Sequence, residues 1–264
     1  MMNFLRKFEN WRILRARKKY PVPYLAWSYV RHLGCVKNFS STEKARLRTL
    51  TSVLLSQKRF VGVQGLILTE DMKLIIASQA CVPILKLGVN FYSGFVQVTV
   101  YPTAFWTIRD VADEAGVVHR EKLLLSGESW SRGPVILSWE DIEHDMQRDN
   151  EGHNVIIHEF SHKIDMQNRG ANGTPPIPQS SSEEEWNEVF EHAYKNLLMR
   201  LRHHHKPSIN VYAAKSRVEF FAVVSEYFFT SPAQLYDEYR QVYKELAGFY
   251  QQDPMGRLAN APDQ

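Results

Sequence analysis

The segment from Asn154 to Met166 constrains the fold more than any other part of this chain. Apolar side chains surround it almost completely when it is drawn as a helix: Val155, Ile157, Phe160, Ile164 and Met166. A helix that is apolar on all sides is expected to be buried. The same helix carries the string His158-Glu159-Phe160-Ser161-His162. Buried imidazoles and carboxylates need polar partners, and a bound metal ion would supply them.

The spacing of the two histidines predicts a metal site. Residues four apart lie on one face of a helix, so His158 and His162 can bind a single ion. Glu159, beside the first histidine, is placed to take a proton from a water molecule near that ion. This HExxH pattern is typical of zinc peptidases, and it predicts one Zn²⁺ per chain. The alternative is a surface helix in which the histidines match the pattern by chance.

A catalytic zinc commonly has three protein ligands and one open position. Two downstream residues compete for the third position, Glu219 and Glu226, which are seven apart and share a helix face. Either could instead pair with a basic residue such as Arg217, and geometry alone does not choose between them. Asp165 follows His162 by three residues and is interpreted as an acceptor for the free N–H of a metal-bound histidine.

Composition excludes several other classes of function. The net charge of +3 is too small to indicate direct binding to nucleic acid. Cys35 and Cys81 are the only cysteines, which argues against a disulfide scaffold and favours a reducing, cytoplasmic location. No stretch approaches 18 consecutive apolar residues, so no membrane span is predicted.

Periodicity predicts an α+β fold with a mixed sheet and helices in the first half and mainly helices in the second. The metal site would lie at the junction of the two halves. Strands are predicted at Phe60–Leu68, Gly94–Tyr101, Val117–Leu125 and Pro134–Trp139, with Val96, Val98 and Val100 on one face of the second. Helices are predicted at Lys44–Gln57, Asp71–Val82, Asp141–Met146, Glu183–Leu201, Lys215–Thr230 and Pro232–Tyr250.

The chain is predicted to divide into a basic N-terminal segment (1–39), one catalytic domain (40–256) and a short tail (257–264). Several segments resemble the Mlc titration factor A family of bacterial zinc metallopeptidases: SQACVPILKLG (78–88), SGESWSRGPVILSWEDI (126–142), NVIIHEFSHKID (154–165), YAAKSRVEFFAVVSEYFF (212–229) and FYQQDP (249–254). The resemblance covers roughly residues 50–256 and is not evident in the first fifty residues.

The resemblance implies a zincin-like core in which Glu219 is the third ligand. It places Glu226 behind the ligands or in the packing around them. Tyr212, also matched to the family, is a candidate hydrogen-bond donor to the oxyanion that forms during peptide cleavage, although it could equally be a core tyrosine.

Two functions follow from the resemblance. The first is a zinc-dependent peptidase, aminopeptidase-like and acting on small peptides, with Glu159 and Tyr212 as catalytic residues. The second is binding and inactivation of a transcriptional repressor of sugar uptake. A purely regulatory module, with a structural or vestigial zinc site, is the alternative to an enzyme.

Other histidines are not expected to bind this metal. His153 lies five residues before His158, about 140° around a helix, so it faces away from the predicted ligands. His203-His204-His205 stands between Arg202 and Lys206 and is interpreted as a solvated loop.

Overall fold

The computed structural model describes residues 13–112, 118–125, 127–129, 133–148, 151–168, 170–178 and 181–259, and it describes only the backbone for those between 105 and 129. Predictions for residues 1–12 and 260–264 lie outside the described residues. Within these ranges, no helix has both the length and the apolar character needed to cross a membrane.

The first half of the chain contains both helices and strands. The helices are α1 (13–19), α2 (Tyr24–Val30), α3 (Gly34–Lys37), α4 (Ser41–Gln57), α5 (Glu70–Ala80) and α6 (Trp139–Gln147), with a 3₁₀ turn at Val89–Tyr92. The strands are β1 (Arg59–Gly62), β2 (Gln97–Tyr101), β3 (Phe105–Ala112), β4 (Val118–Leu125), β5 (Gly127–Ser129) and β6 (Val135–Ser138).

The second half is helical in the part that the structure describes. Its helices are α7 (Val155–Asp165), α8 (Glu183–Arg202), α9 (Arg217–Thr230), α10 (Pro232–Glu238), α11 (Arg240–Tyr250) and α12 (Pro254–Ala259), with a 3₁₀ turn at Val211–Ala214 before α9. The predicted α+β architecture is confirmed, and the strands of the described residues all precede α6.

The main sheet has the strand order β1-β2-β6-β5. β1, β2 and β6 are parallel, and β5 pairs antiparallel with β6 at the edge. Val98 and Val100 of β2 are fully buried, and Thr99 on the opposite face is only 8% exposed. Burial of both faces is typical of parallel strands covered by helices. β3 and β4 form a separate two-stranded antiparallel ribbon.

Three predicted boundaries are wrong. β2 begins at Gln97 rather than Gly94, and the side chain of Val96 is 69% exposed instead of sharing the buried face of Val98. β1 ends at Gly62, because the chain turns there and Leu66 N donates back to Val63 O. The helix predicted over Pro232–Tyr250 is two helices, since Tyr239 leaves helical geometry with φ −132° and ψ 60°.

The start of α4 follows directly from local sequence. Ser40 accepts a hydrogen bond from Glu43 N, and the Glu43 carboxylate accepts one from Ser40 N, which forms the reciprocal capping box. Before this helix, Trp27, Val30 and Val36 belong to the same hydrophobic cluster as the central helices. Residues 22–39 are therefore packed on the rest of the chain.

Two buried helices, α7 and α9, pack against each other at the centre of the molecule. Every residue of α7 is buried, and so is every residue of α9 from Phe220 onward. Phe160 of α7 packs edge-on against Tyr92, with ring centroids 5.0 Å apart. The burial predicted for the helix that carries the two histidines is confirmed.

Candidate metal centre

The first turn of α7 is held by side chains from α5 and α6. Asn154 caps the helix by accepting a hydrogen bond from Ile157 N at 2.9 Å, and its amide donates to Gln79 Oε1 at 2.6 Å. The carboxylate of Asp145 accepts from Val155 N at 2.7 Å. Acceptors at this end satisfy N–H groups that have no partner within the helix. The contacts fix the position of the helix and of the side chains one turn later.

Three potential ligand atoms meet where α7 packs against α9. His158 Nε2 lies 3.1 Å from Glu219 Oε2, His162 Nε2 lies 3.2 Å from the same oxygen, and the two Nε2 atoms are 3.2 Å apart. Glu219 stands in the first turn of α9, where Ser216 caps the helix by accepting from Glu219 N at 3.2 Å. Among the described residues, these three are the group of possible metal ligands whose ligand atoms lie close enough together to bind one ion.

The spacing of these atoms suits a small tetrahedral cation. Zinc bonds to imidazole nitrogen and carboxylate oxygen are about 2.0–2.1 Å long, so ligands at the tetrahedral angle lie about 3.3 Å apart. The separations of 3.1–3.2 Å are close to that value. Two imidazoles and one carboxylate are also a donor set that zinc accepts. The residues present therefore fit the metal that the sequence pattern predicts.

Protonation of the two imidazoles differs in the metal-free chain. Burial opposes the charged form of His158, but the carboxylates of Glu226 and Glu219 raise the pKa of this imidazole well above its ordinary value. Burial lowers the pKa of His162, which leaves it neutral and able to offer a lone pair. Burial would raise the pKa of Glu219, but the two imidazoles hydrogen-bonded to it hold that pKa well below its usual range. A metal entering this set would displace the proton on His158 Nε2.

Glu226 is placed behind the first histidine rather than among the three converging atoms. Its Oε1 accepts from His158 Nδ1 at 2.7 Å, and its Oε2 accepts from Asn154 N at 2.7 Å. The side chain is only 3% exposed. A carboxylate on Nδ1 directs the lone pair of a neutral imidazole to Nε2, where a metal would bind. Glu226 thus orients His158 and anchors the start of α7 at the same time.

Asp165 does not take the role predicted for it. Its Oδ2 accepts hydrogen bonds from Asn172 N at 3.0 Å and from Gly173 N at 2.8 Å, so it holds the loop after α7. Asp165 Oδ1 and His162 Nδ1 are both buried without a hydrogen-bond partner among the described residues. The prediction that Asp165 accepts from a ligand histidine is therefore wrong, because the carboxylate turns toward the loop.

Glu159 is a buried carboxylate next to the converging atoms. It is 4% exposed, and its Oε2 finds no hydrogen-bond partner in the described parts of the chain. Burial raises the pKa of Glu159 to about 8, against the opposing effect of the His158 charge. A carboxyl group with this proton affinity can both accept and return a proton near neutral pH.

Tyr212 lies at the solvent-facing edge of the same group and is 39% exposed. Its hydroxyl donates to Glu219 Oε1 at 3.3 Å, and Lys215 Nζ donates to the hydroxyl oxygen at 3.1 Å. The ring centroid of Tyr212 is 5.9 Å from that of His158. Tyr212 is thus a partly exposed tyrosine beside the cluster and not a core tyrosine.

His153 and the run His203–His205 lie outside this cluster, as predicted. His153 Nδ1 is hydrogen-bonded to Asp145 Oδ1 at 2.5 Å, and His203, His204 and His205 are exposed beyond the end of α8. Sequence reasoning missed Asp145 and Gln79. A signal for Gln79 was available, because it lies in the segment 78–88 that carries part of the resemblance.

Comparisons with known proteins agree with the resemblance. The sequence model of a family described as glucose-regulated metallo-peptidase M90 matches residues 8–251. Similar proteins include those named Mlc titration factor A from Yersinia pestis (strain Pestoides F) and Yersinia pseudotuberculosis serotype O:1b (strain IP 31758). Each is 37% identical over 235 residues, which covers 88% of this chain and 86% of the relative. The family match begins at residue 8, so the expectation that the first fifty residues fall outside the resemblance is wrong.

Proposed function

The chain belongs to the glucose-regulated metallo-peptidase M90 family, and from this premise we propose that it is a zinc-dependent peptidase. The proposal assigns one Zn²⁺ to His158, His162 and Glu219. It is carried by one observation, the convergence of two imidazole nitrogens and a carboxylate oxygen within 3.1–3.2 Å of one another. In this proposal α7 and α9 are the motif helix and the ligand helix of a zincin-like core.

When bound, zinc supplies Lewis acidity, which makes water a stronger acid and polarises a peptide carbonyl. Glu159 is the proposed general base. Its unpartnered Oε2 takes a proton from the attacking water and later returns it to the departing amine. The pKa of about 8 gives this carboxyl group a higher proton affinity than an exposed glutamate has, which favours its taking a proton from water made more acidic by the metal.

Tyr212 is the proposed donor to the oxyanion. Its O–H is already directed at the Glu219 carboxylate, and a small rotation of an exposed ring would bring it to a neighbouring substrate oxygen. Lys215 Nζ donates to the hydroxyl oxygen of Tyr212 and supports the acidity of its proton. Tyr212 therefore acts from the solvent side of the cluster, opposite the buried Glu226.

We further propose that the substrates are small peptides cleaved in an aminopeptidase-like manner. The low exposure of His158, Glu159 and His162, at 9%, 4% and 7%, supports this proposal, because a shielded site admits a chain end more easily than the middle of a folded protein. Cys35 and Cys81 are buried and are not joined in a disulfide, which supports a cytoplasmic location.

Exchange of Glu159 for glutamine tests the assignment. In zinc-loaded Glu159→Gln, the rate at which the N-terminal residue is cleaved from fluorogenic peptides should fall at least about a hundredfold. Proton transfer by a positioned side chain accelerates such reactions by about that factor. Zinc content should stay at one equivalent. Glu143→Gln, on the exposed face of α6, is the matched control and should cleave normally. Undiminished cleavage in zinc-loaded Glu159→Gln would overturn the assignment.

A second function is favoured by the names of the relatives. They are called Mlc titration factors, and together with the sequence resemblance this supports the proposal that the chain binds and inactivates a transcriptional repressor of sugar uptake. Binding of purified Mlc should be measured with the wild type and with Glu159→Gln. Equal binding by both would separate this function from catalysis, and the absence of any binding would refute it. Binding by a zinc-loaded wild type that cleaves no peptide would favour the purely regulatory alternative.

A further inference from the structure

A cavity of about 530 Å³ lies between α2, the residues before it and the first half of α4, and none of its lining residues belongs to the candidate metal centre. This volume is within the range of small-molecule sites. Neither the peptidase proposal nor the repressor proposal uses it.

The described residues that line this cavity carry positive charge only. Four of them are basic, Arg17, Arg31, Lys44 and Arg48, and none is acidic. The acid nearest to them in sequence, Glu43, is already bound to Arg257 at 2.7 Å and to the backbone of Ser40. Four cations around one concave space create a field that attracts an anion.

Two of these cations, Arg31 and Lys44, have no acidic partner within the described structure. Arg31 Nε is inaccessible to solvent and has no hydrogen-bond partner among the described residues. Lys44 Nζ donates to Lys37 O at 2.8 Å and retains two further protons. Burial lowers the pKa of Lys44, and the charge of Arg31 lowers it further, which shows that the two cations repel each other. An anion bound between two like charges would offset their repulsion.

The walls of the cavity hold the fourth cation in a fixed position. The guanidinium of Arg48 lies over the buried Trp27 ring at 6.0 Å and donates to Val22 O. Tyr24, 68% exposed, lines the same space and offers a second aromatic surface. A guanidinium held on an aromatic ring presents its remaining N–H groups at low entropic cost.

We propose that this cavity binds the phosphate group of an anionic ligand, with Arg31, Lys44 and Arg48 as its donors. Guanidinium and ammonium groups recognise phosphate through short, charge-assisted hydrogen bonds. Trp27 and Tyr24 supply apolar surface for the organic part of the ligand. The site is independent of zinc and of peptide cleavage.

Titration with inorganic phosphate tests the proposal on the zinc-loaded full chain. Phosphate should bind saturably by calorimetry and should raise the melting temperature more than sodium chloride at equal ionic strength. Arg31→Gln should weaken phosphate binding at least tenfold. It should also leave the melting temperature without phosphate unchanged or higher, because it removes an unpaired buried donor and a repulsion. A purely structural role for Arg31 predicts the opposite, a lower melting temperature.

The matched control is Arg202→Gln, which removes one exposed charge at the end of α8 and should bind phosphate as the wild type does. Zinc content is measured before and after titration, so that any extraction of the metal by phosphate is detected. Equal phosphate binding by wild type and Arg31→Gln would overturn the proposal. So would a response of the wild type no greater than that to chloride.

The phosphate could belong to a soluble metabolite or to a phospholipid headgroup, and Leu25, 81% exposed beside Tyr24, makes the second source worth testing. Flotation with vesicles of phosphatidylcholine, with and without phosphatidic acid, distinguishes them. If the source is a lipid, the protein should float only with vesicles that contain phosphatidic acid. Arg31→Gln should not float with them, and free phosphate should release the wild type. A soluble source predicts phosphate binding in solution without flotation.

Discussion

Replacing Glu226 by glutamine tests how the first histidine of the candidate metal centre is held. The carboxylate accepts two hydrogen bonds of 2.7 Å, one from His158 Nδ1 and one from Asn154 N. Glutamine has nearly the same shape but only one acceptor oxygen. Its NH₂ group would face one of the two donors, so Glu226→Gln keeps one of these hydrogen bonds and loses the other.

The expected loss of stability follows from burial of the site. Glu226 is 3% exposed, so water cannot replace the lost acceptor. A buried donor left without a partner costs about 1–3 kcal/mol, and hydrogen bonds to a charged group contribute about 1.5–3 kcal/mol. We expect Glu226→Gln to lower the free energy of unfolding by about 2–3 kcal/mol. Because His158 Nδ1 loses its anionic acceptor, zinc affinity should fall about 10–100-fold.

Two measurements check these values. Urea unfolding of the zinc-free chain gives the change in stability without a contribution from metal binding, and competition with a chromophoric chelator gives the zinc affinity. Glu143→Gln serves again as the exposed control and should change neither quantity. If Glu226→Gln lost less than about 0.5 kcal/mol and bound zinc as the wild type does, the orienting role assigned to Glu226 would be refuted.

Three further outcomes are expected. Glu219→Ala should bind much less than one equivalent of zinc, and a full equivalent at unchanged affinity, measured by elemental analysis, would exclude Glu219 as a ligand. The hydrogen bond to Asp145 raises the pKa of His153 to about 9, above its unfolded value, so the pair stabilises the fold fully below about pH 6.5. The stability advantage of wild type over His153→Gln, measured by urea unfolding, should therefore disappear as the pH rises through about 9, and an advantage independent of pH would contradict this. Gly152→Ala should lower the free energy of unfolding by at least about 2 kcal/mol in the same assay, because φ is +77° and the added Cβ would lie 2.2 Å from the Tyr227 ring. Stability equal to that of the wild type would contradict this backbone conformation.

Local sequence was sufficient for the histidine pair and for the starts of two helices. The four-residue spacing of His158 and His162 places both imidazoles on one helix face whatever the rest of the chain does. The capping residues Ser40 and Asn154 mark helix starts for the same reason, since each bonds to an N–H three residues away. These features depend only on backbone geometry within one turn, and the structure agrees with them.

Two predictions failed because the outcome depends on neighbours distant in sequence. The alternating pattern at Val96, Val98 and Thr99 could not reveal that helices cover both faces of β2 or that Val96 lies before the strand. Nothing in the apolar pattern of Pro232–Tyr250 indicates that Tyr239 interrupts it, because both resulting helices bury their apolar sides in one core.

The choice between Glu219 and Glu226 separates what the sequence determines from what the tertiary structure determines. Their spacing of seven residues determined that both carboxylates lie on one face of α9. The family resemblance pointed to Glu219, but the spacing did not. The packing of α9 against α7 brings Glu219 Oε2 near both Nε2 atoms, while Glu226 reaches His158 Nδ1 from behind. The physical reason is that periodicity specifies direction around one helix axis. The distance from that axis to a second helix is set by the side chains packed between them.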